Sequence, residues 1–121
     1  MKDFHNLKVW ERAHKLTLSI YLLTQGFPKD EMYGLTSQMR RSSASIPTNI
    51  AEGCGRDSQA ELTRFLQMAM GSSSELEYQL ILAHDLNNVD EEKFLELSME
   101  LNSVRRMLNA FIQKVKHDLS V

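Results

Sequence analysis

The sequence predicts an all-α, up-down-up-down four-helix bundle, left-handed, with residues 1–121 forming one domain. Three observations lead there. Apolar residues recur every three or four positions along four stretches, as helices require. Two prolines and five glycines in 121 residues leave little material for the many turns of a β protein. The breaks between stretches are short, which makes sequential helices antiparallel neighbours.

Residues 1–6 read as an arm, with Asn6 as the N-cap of a first helix over about residues 7–25. Val9, Ala13, Leu16, Ile20 and Leu23 form its apolar stripe, and Leu7, Trp10, His14, Thr17 and Tyr21 a second one beside it. Gly26 and Pro28 end that helix. Asp30 is the expected N-cap of the second, whose apolar line is Met32, Leu35, Met39, Ser43, Ile46 and Ile50. Pro47 falls inside this pattern; Ile46 and Ile50 stay in phase across it, so a kinked but continuous helix is expected, ending at Gly53 and Gly55. The run Ser42 to Ser45 is small throughout and admits a close neighbour.

Ser58 and Glu61 stand at capping-box spacing and open the third helix. Its stripe of Leu62, Leu66, Ala69, Ser73, Leu76, Leu80 and Ala83 passes unshifted through Gly71-Ser72-Ser73-Ser74, which predicts one helix of about 30 residues rather than a turn. Asp90 caps the fourth helix, with Phe94, Leu97, Leu101, Val104, Leu108, Phe111 and Val115 facing inward. The period near 3.5 in the last two helices gives the bundle its predicted hand.

The composition is that of a globular domain, and the polar segment after Met1, the single Cys54 and the lack of a long apolar run point to a reduced, cytoplasmic setting. The net charge of −2 is divided: residues 1–56 carry eight Lys/Arg against five Asp/Glu, residues 57–100 two against ten, and residues 101–121 four against one. An acidic chain of this kind is a poor prior for nucleic-acid binding, although its basic segments can still form a local patch.

No catalytic, cofactor or metal motif is present. His5, His14, His84 and His117 lack ligand spacing, Cys54 has no activating pattern around it, and no phosphate loop occurs. Polar residues set within apolar stripes are more informative. Gln38, Arg41, Asn49 and Glu52 line one edge of the second helix, and Glu75 and Gln79 interrupt the second stripe of the third. Half-buried charges must be paired, so Arg41 is expected to reach Glu75 or Glu52, with Gln79 and Asn49 completing a network that sets helix register. Arg40, Arg56, Arg64, Arg105 and Arg106 are the candidates for an anionic partner, through phosphate contact rather than base stacking. The second stripes, with Trp10, Tyr21, Phe65 and Met68, exceed what one bundle buries and predict a homo-oligomer.

Three motifs carry a resemblance: F-x-x-L-x-V-W from Phe4 to Trp10, F-P-x-x-E-x-Y-G-L from Phe27 to Leu35, and QMRRSSASIPTNIAEG from Gln38 to Gly53. With Gly55-Arg56, Phe65-Leu66 and AMGSSSELE from Ala69 to Glu77, the chain resembles the bacterial four-helix-bundle family named after the 23S rRNA-intervening-sequence protein; Ser42 and Ser43 depart from the alanines expected there. The resemblance implies a homopentamer around a central channel, and a fold similar to the accessory protein of diversity-generating retroelements, a basic barrel that works with a reverse transcriptase. The expected function is a non-enzymatic oligomeric scaffold or adaptor that contacts RNA through arginines. The alternatives are a dedicated RNA- or DNA-binding module working with a nucleic-acid enzyme such as a reverse transcriptase, and an enzyme built around Arg41, Asn49, Glu52 and Glu75.

Overall fold

The structure, a computed structural model, describes residues 2–120, so Met1 and Val121, the ends of the expected domain, lie outside the described residues. Among these residues there are four α-helices and no strand: α1 (Lys8–Thr24), α2 (Leu35–Cys54), α3 (Gln59–Asp85) and α4 (Glu91–Ser120), with 3₁₀ turns at Phe4–Asn6 and Lys29–Glu31. Along each neighbouring pair the contacts run in opposite sense: Thr17 meets Ser43 while Thr24 meets Arg40, Ser42 meets Gln79 while Gly53 lies against Leu62, Ser74 meets Arg105 while His84 meets Glu91, and Arg12 meets Ser103 while Leu22 lies near Lys93. Neighbours are therefore antiparallel all round a four-helix bundle. α1 packs on α2 and α4, and α3 on α2 and α4, while diagonal helices do not touch.

The inward stripes are those the periodicity predicts. Ala13, Leu16, Ile20, Met39, Ile46, Ile50, Leu66, Ala69, Leu76, Leu80, Leu101, Val104 and Leu108 are all buried. In α4 the sixth inward position is Ile112; Phe111 is only half-buried beside it.

The helix starts differ from expectation in two places. Asn6 does not cap α1: it closes the 3₁₀ turn, where Asp3 accepts from the His5 N–H, and Leu7 takes the cap position with no side-chain bond. Asp30 does not cap α2 either, and Met32 is half-exposed rather than on its core line. After Pro28 the chain closes a separate 3₁₀ turn, and the Glu31 carboxylate accepts from the Leu35 N–H at 3.3 Å. A Cβ at position 34 would lie 2.8 Å from Glu31 Oε1, so a larger residue there would push that carboxylate aside.

Ser58 caps α3 by accepting from the Glu61 N–H, and Asp90 caps α4 by accepting from the Lys93 N–H at 2.8 Å. α3 is unbroken over 27 residues, about 40 Å. It ends with Asn87 in the left-handed region (φ 64°), a conformation asparagine tolerates, and the Asn88 N–H returns to the Ala83 carbonyl at 2.9 Å.

Pro47 sits inside α2, which continues through it. Proline has no N–H to give the Ser43 carbonyl four residues back. That buried carbonyl instead accepts from Thr17 Oγ1 of α1 at 2.9 Å, a hydroxyl shared with the Ala13 carbonyl of its own helix at 3.0 Å. The defect in one helix thus becomes a docking bond for its neighbour. α2 and α3 approach closely near Gly53, where a Cβ would meet Leu62 Cδ1 and Phe65 Cβ, both at 3.0 Å.

Candidate interaction surface

The predicted polar network does not form within the chain. Arg41 is exposed and has no hydrogen-bond or ion-pair partner among the described residues; Gln38 and Glu75 are exposed as well. Arg41 and Glu52 are eleven residues apart on one helix, about 16 Å along its axis, beyond the reach of an arginine. Glu52 pairs with Arg56 one turn later at 3.3 Å, and Asn49 Nδ2 donates to the Ser45 carbonyl at 2.8 Å. Gln79 alone is buried, at 4% exposure, and its Oε1 accepts from Ser42 Oγ at 2.6 Å. The register-setting contact between α2 and α3 is therefore a neutral Ser–Gln pair. Charge could not stay at that depth, and a serine is small enough to let the glutamine reach it.

The arginines divide into two groups. Arg56 and Arg64 lie over the ring of Phe65, at 4.7 and 4.8 Å from its centroid, which is why that ring is buried instead of free for a partner. Arg64 also pairs with Glu61 at 3.0 Å, and this hydrogen bond holds the Glu61 carboxyl below the usual range. Arg105 is held by Glu77 at 2.8 Å and Ser74 at 3.2 Å. Arg40 donates from Nε to Thr24 Oγ1 at 2.8 Å and stands over the Tyr21 ring. Only Arg41 and Arg106 of the six remain unengaged among the described residues.

The histidines are likewise occupied in structural contacts. His14 stacks on Trp10 with ring centroids 5.3 Å apart, and His84 stacks on Phe94 while Nε2 meets Glu91 at 3.0 Å. His5 pairs with Asp3 at 2.7 Å, and that bond lowers the Asp3 carboxyl. Cys54 is buried, which pushes its thiol up, the opposite of what a nucleophile needs. Among the described residues no group of three or more His, Cys, Asp or Glu could hold a metal ion, and no helix is long and apolar enough to cross a membrane.

What the structure does assemble is a groove along the outer α1–α2 face. Its first part, about 600 Å³, is lined by Tyr21, Met32, Tyr33, Arg40 and Arg41. A second hollow of about 550 Å³ shares Ala44 and Thr48 with the first and runs on to Trp10, His14 and Glu52. Tyr33 stands at its rim with 97% of its surface exposed, on a turn fixed between the 3₁₀ segment and α2. Periodicity could not find this site. Tyr33 belongs to no helix, and the groove is bounded by the small residues Ala44, Thr48 and Ala51, which carry no signal of their own.

Of Trp10, Tyr21, Phe65 and Met68, the large apolar residues of the predicted second stripes, only Tyr21 and Met68 are exposed. The strongest outward apolar exposure is at Leu22 (70%), Tyr33 and Met99 (72%) instead.

Residues 5–110 match the family model of the 23S rRNA-intervening sequence protein. The chain belongs to that family. A crystal structure from Bacteroides thetaiotaomicron VPI-5482, of a protein with unknown function from the S23 ribosomal protein family, is similar at a TM-score of 0.80 and 22% identity, covering 87% of this chain and 95% of that one. At that identity the likeness shows the shared fold. No match was found among curated proteins. Both family and neighbour are of unknown function, with no enzymatic activity attached to either.

Proposed function

We propose that this chain is a non-enzymatic scaffold that works as a closed homo-oligomer in the cytoplasm. Five copies, the number implied by the family resemblance, would weigh about five times 13.9 kDa, or roughly 70 kDa. The observation that carries this reading is Tyr33, a large aromatic side chain almost wholly exposed on an ordered turn at the rim of a groove. Isolated exposed apolar residues are ordinary, but Tyr33 shares its surroundings with the half-exposed Met32 and Tyr21, as an interaction surface would. The reading does not need RNA contact, for which only Arg41 and Arg106 are unengaged among the described residues. The other five arginines are already engaged, and Arg12, Arg56, Arg64 and Arg105 each sit against a carboxylate.

Light scattering with and without structured RNA tests this. The expected result is a mass near 70 kDa that RNA leaves unchanged. A monomer of 13.9 kDa would remove the self-association. A mass that rises with RNA, and falls back in high salt, would favour the nucleic-acid module over the scaffold.

A further inference from the structure

We infer that the copies join head to tail, the outer stripe Glu92–Leu95–Met99 of one seated in the Tyr33–Arg41 groove of the next. The inference rests on the self-association proposed above and identifies its two surfaces.

The groove asks for an apolar occupant bearing a negative charge. Tyr33, Met32 and Tyr21 offer exposed apolar surface, and Arg41 brings a guanidinium that nothing among the described residues satisfies. This chain carries such an occupant on α4. Glu92, Leu95 and Met99 stand at i, i+3 and i+7, one above another on a single face. Leu95 and Met99 are 52% and 72% exposed, and Glu92 has no partner among the described residues. The whole neighbourhood is acidic: residues 85–100 hold six Asp/Glu against one lysine.

Within one chain the two surfaces lie on diagonal helices, α2 and α4, whose backbones do not approach each other among the described residues. They do stand at the same end of the bundle. The last turns of α1 adjoin the start of α4 at a hollow lined by Leu22, Leu23 and Lys93, and Tyr33 lines the groove beside Tyr21 of those same turns. Copies rotated about an axis along the bundle can therefore bring groove and stripe together at one height, with all helices keeping their direction. A groove-to-groove pairing would set Arg40 and Arg41 of one copy against the same arginines of the other. Two different surfaces in contact make a heterologous interface, which repeats from copy to copy and closes into a ring when the rotation allows.

The full chain is measured by light scattering and sedimentation beside three kinds of variant. Arg41→Glu and Glu92→Arg, each alone, should shift the mass towards 13.9 kDa, and the two together should restore it. An exposed ion pair is weak by itself, so Leu95→Glu/Met99→Glu removes the apolar part and should give monomer at every concentration tested. All four side chains are exposed and make no hydrogen bond or ion pair among the described residues, so circular dichroism melts should stay cooperative and near wild type. An oligomer that persists in Leu95→Glu/Met99→Glu, or a charge swap that fails to recover the mass, overturns this pairing and leaves self-association standing. A wild-type monomer overturns both.

Discussion

The bond between Thr17 and the Ser43 carbonyl gives the sharpest test of how this bundle tolerates its internal proline. Thr17→Val keeps the shape of the side chain and removes the hydroxyl, so the carbonyl that Pro47 leaves open loses its partner in a buried site. An unsatisfied buried acceptor costs about 1–3 kcal/mol, and the added methyl returns at most about 0.8 kcal/mol. A net loss of about 1–2 kcal/mol is expected, on the order of 5 °C in melting temperature for a chain of this size. Pro47→Ala restores an N–H that can reach Ser43 along the helix. In that background Thr17→Val should cost about 1 kcal/mol less, a coupling within the range expected for residues that share one acceptor. Urea denaturation of the four proteins measures the cycle. If Thr17→Val costs the same with and without Pro47, the hydroxyl is not the proline's replacement, and the compensation between α1 and α2 is wrong.

The glycines should answer the same substitution with opposite signs. Gly71→Ala, with nothing within 4 Å of the added carbon, should stabilise by up to about 1 kcal/mol through helix propensity, whereas Gly53→Ala drives a methyl into Phe65 and should cost about 1–2 kcal/mol net of that gain; a stabilised Gly53→Ala in thermal melts would mean that α2 and α3 are not that close. Gln79→Leu leaves the Ser42 hydroxyl only the Met39 carbonyl, at 3.3 Å, and should cost about 1 kcal/mol or more, part of which Ser42→Ala added to it should recover, and additive losses in denaturant titrations would mean that the 2.6 Å bond does not couple the helices.

The bundle was legible in the sequence because its signal repeats. Each inward stripe contributes several large side chains at one period, and no single substitution in it, such as Phe111 giving way to Ile112, changes the answer. The helix starts were less legible. Asp30 and Asn6 are good caps by type, yet a cap is decided by where the chain last bends, and here a 3₁₀ turn intervenes in both places. The expected network failed on a related point. An arginine at the edge of an apolar stripe can be buried and paired or can swing outward, and sequence spacing does not distinguish the two. Arg41 swings outward, and the buried position goes to the uncharged Gln79.

The same reasoning bears on what a count of arginines means. By sequence, Arg40, Arg56, Arg64, Arg105 and Arg106 form a dispersed basic set suited to phosphates. In the fold, Arg56 and Arg64 spend their charge on one phenylalanine ring and two glutamates, and Arg105 on the α3–α4 contact. A phosphate would have to displace those carboxylates, each within 3.3 Å, before gaining anything. Arg41 is different because its burden of solvation is all that holds it. It lies beside exposed aromatic surface, where water is a poorer neighbour than a carboxylate on an apolar helix face. The local field around Arg41 therefore favours an acidic protein surface such as that of α4 over a nucleic-acid backbone, which would find two unengaged arginines on each copy among the described residues.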